Sequence, residues 1–246
     1  MVADANLMGP AAFPVACCGE LQFISQVNMK DIWIIGGGQF GLKAAQELSR
    51  NNPGIDITVV DNDSNLCKKL DILSFRTVCG DGIKYLYDNL KGQDYPDWIV
   101  PAIPVHVAYE WIRSKLSVKY HFKARDVPDD LAQILPNPIR GDKGELYISN
   151  ADFICPDNCP EPVAICTYTG EQRPGILHNV LESIHYHDFC SVVVRSRQLS
   201  LGVGGYPPKA LFKAFFDITT STTPVLLSTA CRCHGVMHAF TISESK

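Results

Sequence analysis

Two cysteine groups and one glycine-rich turn are the residues in this chain whose types and spacing could do chemistry. Cys155, Cys159 and Cys166 read as C-x3-C-x6-C, and the first two are each followed by proline. Further along come Cys231-Arg232-Cys233-His234, with His238 four residues on. Thiolates are soft donors that suit zinc or an iron-sulfur cluster, and imidazole suits zinc. The spacing matches neither the C-x2-C pairs of zinc ribbons nor the cysteine run of bacterial ferredoxins, so it selects no particular metal. Free cysteine is also among the most buried residue types, which accounts for Cys67, Cys79 and Cys190 inside helix or strand patterns. It does not account for Cys155 and Cys159, which stand among Pro, Asp and Asn, residues of turns rather than of cores. Cys155, Cys159 and Cys166 are therefore the first candidate metal ligands, with Cys231 and Cys233 next. A disulfide or a redox-active thiol pair is the alternative.

The glycine turn is Gly36-Gly37-Gly38-Gln39-Phe40-Gly41, a G-x-G-x-x-G that follows the apolar run Ile32 to Ile35 and precedes helix formers from Leu42 to Arg50. In that context Gly36 permits a tight turn, Gly38 lets backbone approach a pyrophosphate, and Gly41 lets the helix pack against the strand. The amides of Gln39 and Phe40 then sit at a helix N-terminus, which favours an anion. Asn51 to Gly54 stops the helix, and a second strand, Ile55 to Val60, ends at Asp61, twenty residues past Gly41. A carboxylate there accepts hydrogen bonds from the adenosine ribose and repels the extra phosphate of NADP, so NAD is the expected dinucleotide. FAD proteins share this opening, but no second nucleotide-contact segment follows Asp61, and NAD is favoured over FAD.

The third strand of this unit ends in Thr77-Val78-Cys79-Gly80-Asp81-Gly82. With that ending, residues 29 to about 116 resemble the Rossmann family, and most closely the TrkA-N nucleotide-binding domains of potassium-uptake regulators. The resemblance implies that Asp81 lies near the adenine end of the ligand. Read from its neighbours alone, Asp81 is equally a helix N-cap before Ile83 to Leu90.

The elements that must position these groups continue with a fourth strand at Asp97 to Val100 and a helix at Val105 to Leu116. Prolines and glycines from Pro128 to Gly144 then predict a loop-rich linker with one short helix near Asp129 to Ile134. Both cysteine groups follow strand-like runs, Ala151 to Ile154 and Pro224 to Ala230. If both runs are strands of the dinucleotide sheet, the groups converge beside the nicotinamide, because ligands of open α/β sheets gather at the carboxyl ends of the strands. Gly175 to His185 predicts an amphipathic helix with His178 and His185 on one face, where one could move a proton. Arg195 and Arg197 could meet an anionic substrate or could simply be solvated. Gly202, Gly204 and Gly205 predict a structural hinge ahead of a core helix, Lys209 to Phe216. The expected fold is α/β, a doubly wound, mostly parallel Rossmann-like sheet with a cysteine-rich C-terminal half. Its expected divisions are a flexible N-terminal arm or a mis-set start over residues 1–28 that can be removed without loss of the fold, a dinucleotide domain over 29–120, and a cysteine-rich region over 121–246 that could continue the same sheet.

Composition limits the partners. Lys and Arg number 22 against 26 Asp and Glu, and no basic block interrupts the chain, so nucleic acid is not expected. No apolar run is long enough to span a bilayer. Residues 1–28 have no basic segment ahead of their apolar stretch, and the expected location is cytoplasmic. The sequence thus predicts an NAD-binding redox protein, an oxidoreductase with a cysteine-held zinc or iron-sulfur site near the nicotinamide, acting on a small molecule or a redox partner. The alternative is a non-enzymatic NAD/NADH sensor of TrkA-N type with a structural metal. Self-association into a homo-oligomer fits either.

Overall fold

The structure is a computed structural model and describes residues 29–92 and 94–244. The expected N-terminal arm over 1–28, with Cys17 and Cys18, lies outside the described residues.

The first half is a run of alternating strands and helices. It comprises β1 (Asp31–Ile35), α1 (Gln39–Asn51), β2 (Asp56–Asp61), α2 (Ser64–Ile72), β3 (Arg76–Cys79), α3 (Gly82–Asn89) and β4 (Trp98–Pro101). Its four strands pair in the order β3-β2-β1-β4, every pair parallel. Strands covered on both faces must be apolar almost without interruption, and Ile32, Ile34, Ile35, Val59, Val60 and Ile99 are all fully buried. One face packs against α1 and α2 through Ala44, Ala45, Leu48 and Leu70.

The remaining elements are α4 (Val107–Leu116), β5 (Tyr120–Arg125), α5 (Asp129–Gln133), β6 (Ile139–Arg140), β7 (Leu146–Ser149), α6 (Leu177–Glu182), β8 (Cys190–Arg195), β9 (Arg197–Ser200), β10 (Val203–Gly205), α7 (Pro208–Thr220), β11 (Val225–Ala230) and β12 (His234–Glu244). They form a second sheet in the order β6-β7-β12-β11-β8, with β5 along the distal half of β12. Only β8 and β11 are parallel. Helices α4 and α7 lie between the sheets. Their Trp111, Ile112, Leu211 and Ile218 share one core with Ile35 and Ile99 of the first sheet and with Val194 and Leu227 of the second. The outer face of the second sheet is closed by α5 and α6, where Leu131 and Leu181 meet Leu226 and Met237. The order is helices, sheet, helices, sheet, helices.

This arrangement corrects several expectations. The stretch from residue 120 to 149 is not mainly linker, because β5, β6 and β7 occupy it. The second half does not continue the dinucleotide sheet: α4 and α7 cover that sheet's inner face, and β11 pairs on their far side. Residue Tyr206, just after the β9–β10 hairpin, pairs with Ile99 of the first sheet through two backbone bonds that cover the β4 edge. Ala151 to Ile154 is no strand. Asn150 turns the chain by donating its side-chain amide to the carbonyls of Gly175 and Arg232, and Ile154 is then 95% exposed. The predicted histidine helix stops at Glu182, so His178 is buried inside it while His185 lies exposed beyond its end.

Candidate functional site

The turn from β1 into α1 is built as its glycines require. Gly36 has φ +110°, and a Cβ there would stand 2.5 Å from the Ala102 carbonyl oxygen. Gly41 packs so closely on the Gly36 carbonyl that no side chain fits. Gly38 differs from both, since a Cβ on it would meet nothing within 4 Å. It caps α1 and offers no side chain to the helix's first amides, so those N–H groups face open space beside the turn. Gln39 and Phe40 occupy that first turn, with Phe40 exposed. Backbone donors at a helix N-terminus, over a residue without a side chain, fit a pyrophosphate.

Asp61 ends β2 beside this turn. Its Oδ2 accepts the Gly37 N–H at 2.5 Å and its Oδ1 accepts the Asp63 N–H at 2.8 Å. A carboxylate has about four acceptor sites, so lone pairs remain for ribose hydroxyls. A cleft of about 350 Å³ opens from the turn between α1 and α2, with Gly37, Gly38, Lys43 and Gln46 on one wall and Leu66 and Lys69 on the other. Among the described residues, no carboxylate, histidine or thiol lines it. Asp81 is the N-cap of α3, its Oδ1 accepting the Lys84 N–H at 2.7 Å, at the end of the strand next to β2. The residues of this turn and strand end therefore fit a dinucleotide, with Asp81 fulfilling the capping role.

The cysteines gather at the turn between β11 and β12 and in the connection from β7 to α6. Asn150 ties the two by donating: its backbone N–H goes to the Cys233 carbonyl, and its side-chain amide goes to the Arg232 carbonyl. Glu161, in the left-handed region at φ 49°, takes the Arg232 N–H on its carboxylate and the Arg232 guanidinium on its carbonyl. Cys155 Sγ lies 3.5 Å from His234 Nε2. Three sulfurs accept backbone N–H groups: Cys159 from Glu161, Cys231 from Cys233 and His234, and Cys166 from Tyr168 and Thr169. Those bonds hold the Cys166 thiol below its ordinary range. Burial pushes Cys155 up, raises Cys233 to about 11 and raises Cys231 to about 12. Among the described residues no group of three or more His, Cys, Asp or Glu side chains is close enough together to hold a metal ion.

The route by which this region meets the dinucleotide turn also differs from expectation. The two are not side by side on one sheet edge. They touch where Lys43 of the cleft wall donates to the Asp157 carbonyl, midway between Cys155 and Cys159, while Gln198 of β9 holds the cysteine segment by donating to the Cys159 carbonyl. Arg195 and Arg197 both point to solvent.

One cluster is absent from the motifs. His106, just past β4, places its Nδ1 3.0 Å from Nδ1 of His238 and its Nε2 2.8 Å from the Thr229 hydroxyl. Tyr109 stacks on His238 with centroids 3.9 Å apart. Burial lowers both histidines, His238 to about 4. His106 had no signal beyond its place before a helix, and its partners come from strands more than a hundred residues later.

The glycine turn, the carboxylate ending β2 and the four parallel strands define a Rossmann-type NAD(P)-binding domain, and residues 32–86 match the TrkA-N domain family. Residues 108–243, more than half of the chain, match a family described as "Uncharacterized protein, C-terminal domain", and the chain belongs to that family. It is also similar to an "Uncharacterized protein" of Archaeoglobus fulgidus, 29% identical over 220 residues that cover 84% of this chain and 97% of that one. No helix of the described residues is long and apolar enough to cross a membrane.

Proposed function

We propose that the chain is an NAD(H)-binding sensor module. The dinucleotide lies with its pyrophosphate over Gly38 and the amides of Gln39 and Phe40 and its adenosine ribose on Asp61. The observation that carries this is the combination of an open Gly38 and a carboxylate held against the same turn through Gly37. Asp61 favours NAD over NADP by charge. Sensing rather than turnover is supported by the cleft wall, which among the described residues offers lysines and glutamines but no general acid or base of the carboxylate, imidazole or thiol kind. The layer of α4 and α7, buried against both sheets, gives a bound state in the first half a packed route to the second. Calorimetric titration with NAD, NADH and NADP, followed by assay of the recovered nicotinamide, tests this: binding near one per chain with the dinucleotide returned unchanged is expected. Conversion of the nicotinamide would refute sensing and leave the dinucleotide site standing.

A second reading, an oxidoreductase whose cysteines hold zinc or an iron-sulfur cluster, is favoured by the three sulfurs that accept backbone N–H groups. Such bonds stabilise thiolates, and the buried Nε and Nη1 of Arg173, which have no partner, stand near Cys155, Cys166 and Cys233. Binding would draw Cys155, Cys159, Cys166, Cys231 and Cys233 closer than they now stand. Anaerobic purification with elemental analysis and a visible spectrum decides it.

A further inference from the structure

Two thiols outside the cysteine groups flank the ribose carboxylate. Cys67 lies on α2, three residues before Leu70, so both face the sheet and both are buried. Its Sγ donates to the Asp61 carbonyl at 3.3 Å. Cys79 ends β3 directly opposite Asp61 in the parallel register. Its neighbour Val78 packs into the core between the sheets, so strand alternation turns Cys79 to the opposite face, which α2 and Asp61 share. Cys79 is close enough to be a hydrogen-bonding partner of Cys67, which burial and that neighbour together raise to about 12. The expectation that Cys79 is a buried core residue is corrected here: β3 is the edge of its sheet, and Cys79 is exposed.

We propose that Cys67 and Cys79 are an oxidisable pair, and that their disulfide weakens dinucleotide binding at Asp61. The oxidant is a low-molecular-weight disulfide. The exposed Cys79 thiolate attacks one of its sulfurs, forming a mixed disulfide and releasing one small thiolate. Cys67 sulfur then attacks the Cys79 sulfur and expels the second small thiolate. The two protons from the protein thiols end on the two small thiols. Two protein thiols are oxidised and one small disulfide is reduced. Accessibility sets the order, since only Cys79 faces solvent.

The link acts on Asp61 in two ways. It removes the S–H that Cys67 donates to the Asp61 carbonyl, and it draws Cys79 inward against the strand end that carries the carboxylate. The same carbonyl accepts the Gly80 N–H, so the end of β2 is held from both sides by the segments being joined. Loss of about one ribose hydrogen bond to a charged acceptor lowers NAD affinity roughly tenfold.

This inference rests on the NAD(H) reading, and the test separates the two. The full chain is reduced, titrated with NAD, then treated with glutathione disulfide, mapped by non-reducing peptide mass spectrometry and titrated again. A Cys67–Cys79 peptide, an affinity loss of about tenfold and recovery with dithiothreitol are expected. Cys79→Ser should bind NAD like the reduced parent and ignore the oxidant, while Cys67→Ala, which lacks the S–H to the Asp61 carbonyl, should bind somewhat more weakly when reduced and form no such peptide on oxidation, with a melting curve to show that it folds. The inference is overturned by absence of that peptide, by unchanged affinity when it is present, or by an equal loss in oxidised Cys79→Ser, which would point to the other cysteines. If the reduced parent binds no dinucleotide, the NAD(H) reading fails and the effect on affinity fails with it, while the peptide map still decides whether the pair forms.

Discussion

Gly38→Ala separates binding from folding at the dinucleotide turn. The residue has φ −63° and ψ −163°, which alanine adopts without strain, and its Cβ would touch nothing within 4 Å. The cost to the fold is then only the exchange of glycine for alanine at a helix cap, at most about 1 kcal/mol, or a fall of about 2–4 °C in melting temperature. The open space is where the phosphates must approach. A methyl group there holds the pyrophosphate off the amides and removes one or two charge-assisted hydrogen bonds of roughly 1.5–3 kcal/mol each. NAD affinity should fall at least about tenfold and as much as about ten-thousandfold. Gly36→Ala is the contrasting case. Its φ of +110° and the Ala102 oxygen 2.5 Å from the new Cβ place the damage in the fold itself, a loss of roughly 2–4 kcal/mol. Calorimetry with NAD and thermal melting of both variants and the parent give the comparison. Parent-like NAD affinity in a folded Gly38→Ala chain would remove the pyrophosphate from this turn and refute the reasoning.

Asp61→Arg should weaken NAD and shift preference toward NADP, because the acceptor for the ribose becomes a cation suited to the 2′-phosphate. Paired titrations measure it, and an unchanged NAD to NADP ratio would take Asp61 out of the ribose site. His238 supplies a pH dependence. Burial lowers it from 6.5 to about 4, with the Glu145 charge opposing. The folded chain therefore resists a proton that the unfolded chain accepts, so its stability is intact above pH 6.5 and is lost as pH falls from there toward 4. The full loss is about 3 kcal/mol. In denaturant melts at pH 7.5 and 4.5, His238→Gln should lose less stability than the parent, and equal losses would show that His238 titrates normally. On the metal-holding reading, Cys155→Ser should lower the metal found per chain, and unchanged stoichiometry by elemental analysis would exclude Cys155 as a ligand.

The dinucleotide turn was legible because its chemistry is local. Strand, glycines, helix and Asp61 fall within about thirty consecutive residues, and the conformations of Gly36 and Gly41 follow from the absence of a side chain. Asp81 was half legible, since capping is local and proximity to a ligand is not. The cysteines of 155–166 were recognisable as turn residues rather than core. Their spacing said nothing of where the chain would fold back, and the structure sends it to the β11–β12 turn through Asn150. Cys79 was misread because a strand pattern does not reveal which strand is at the edge.

Sequence alone determined the identity of the first sheet's strands, the glycine turn after β1 and the carboxylate that ends β2. These depend on backbone sterics and on side chains close together along the chain. Tertiary structure decided that the second half builds its own sheet, that α4 and α7 are buried on two sides, that His106 meets His238, and that Cys67 and Cys79 stand on either side of Asp61. Each of those is a contact between segments brought together by burial of apolar faces. A one-residue change of strand register or of helix face would undo it without altering any local motif.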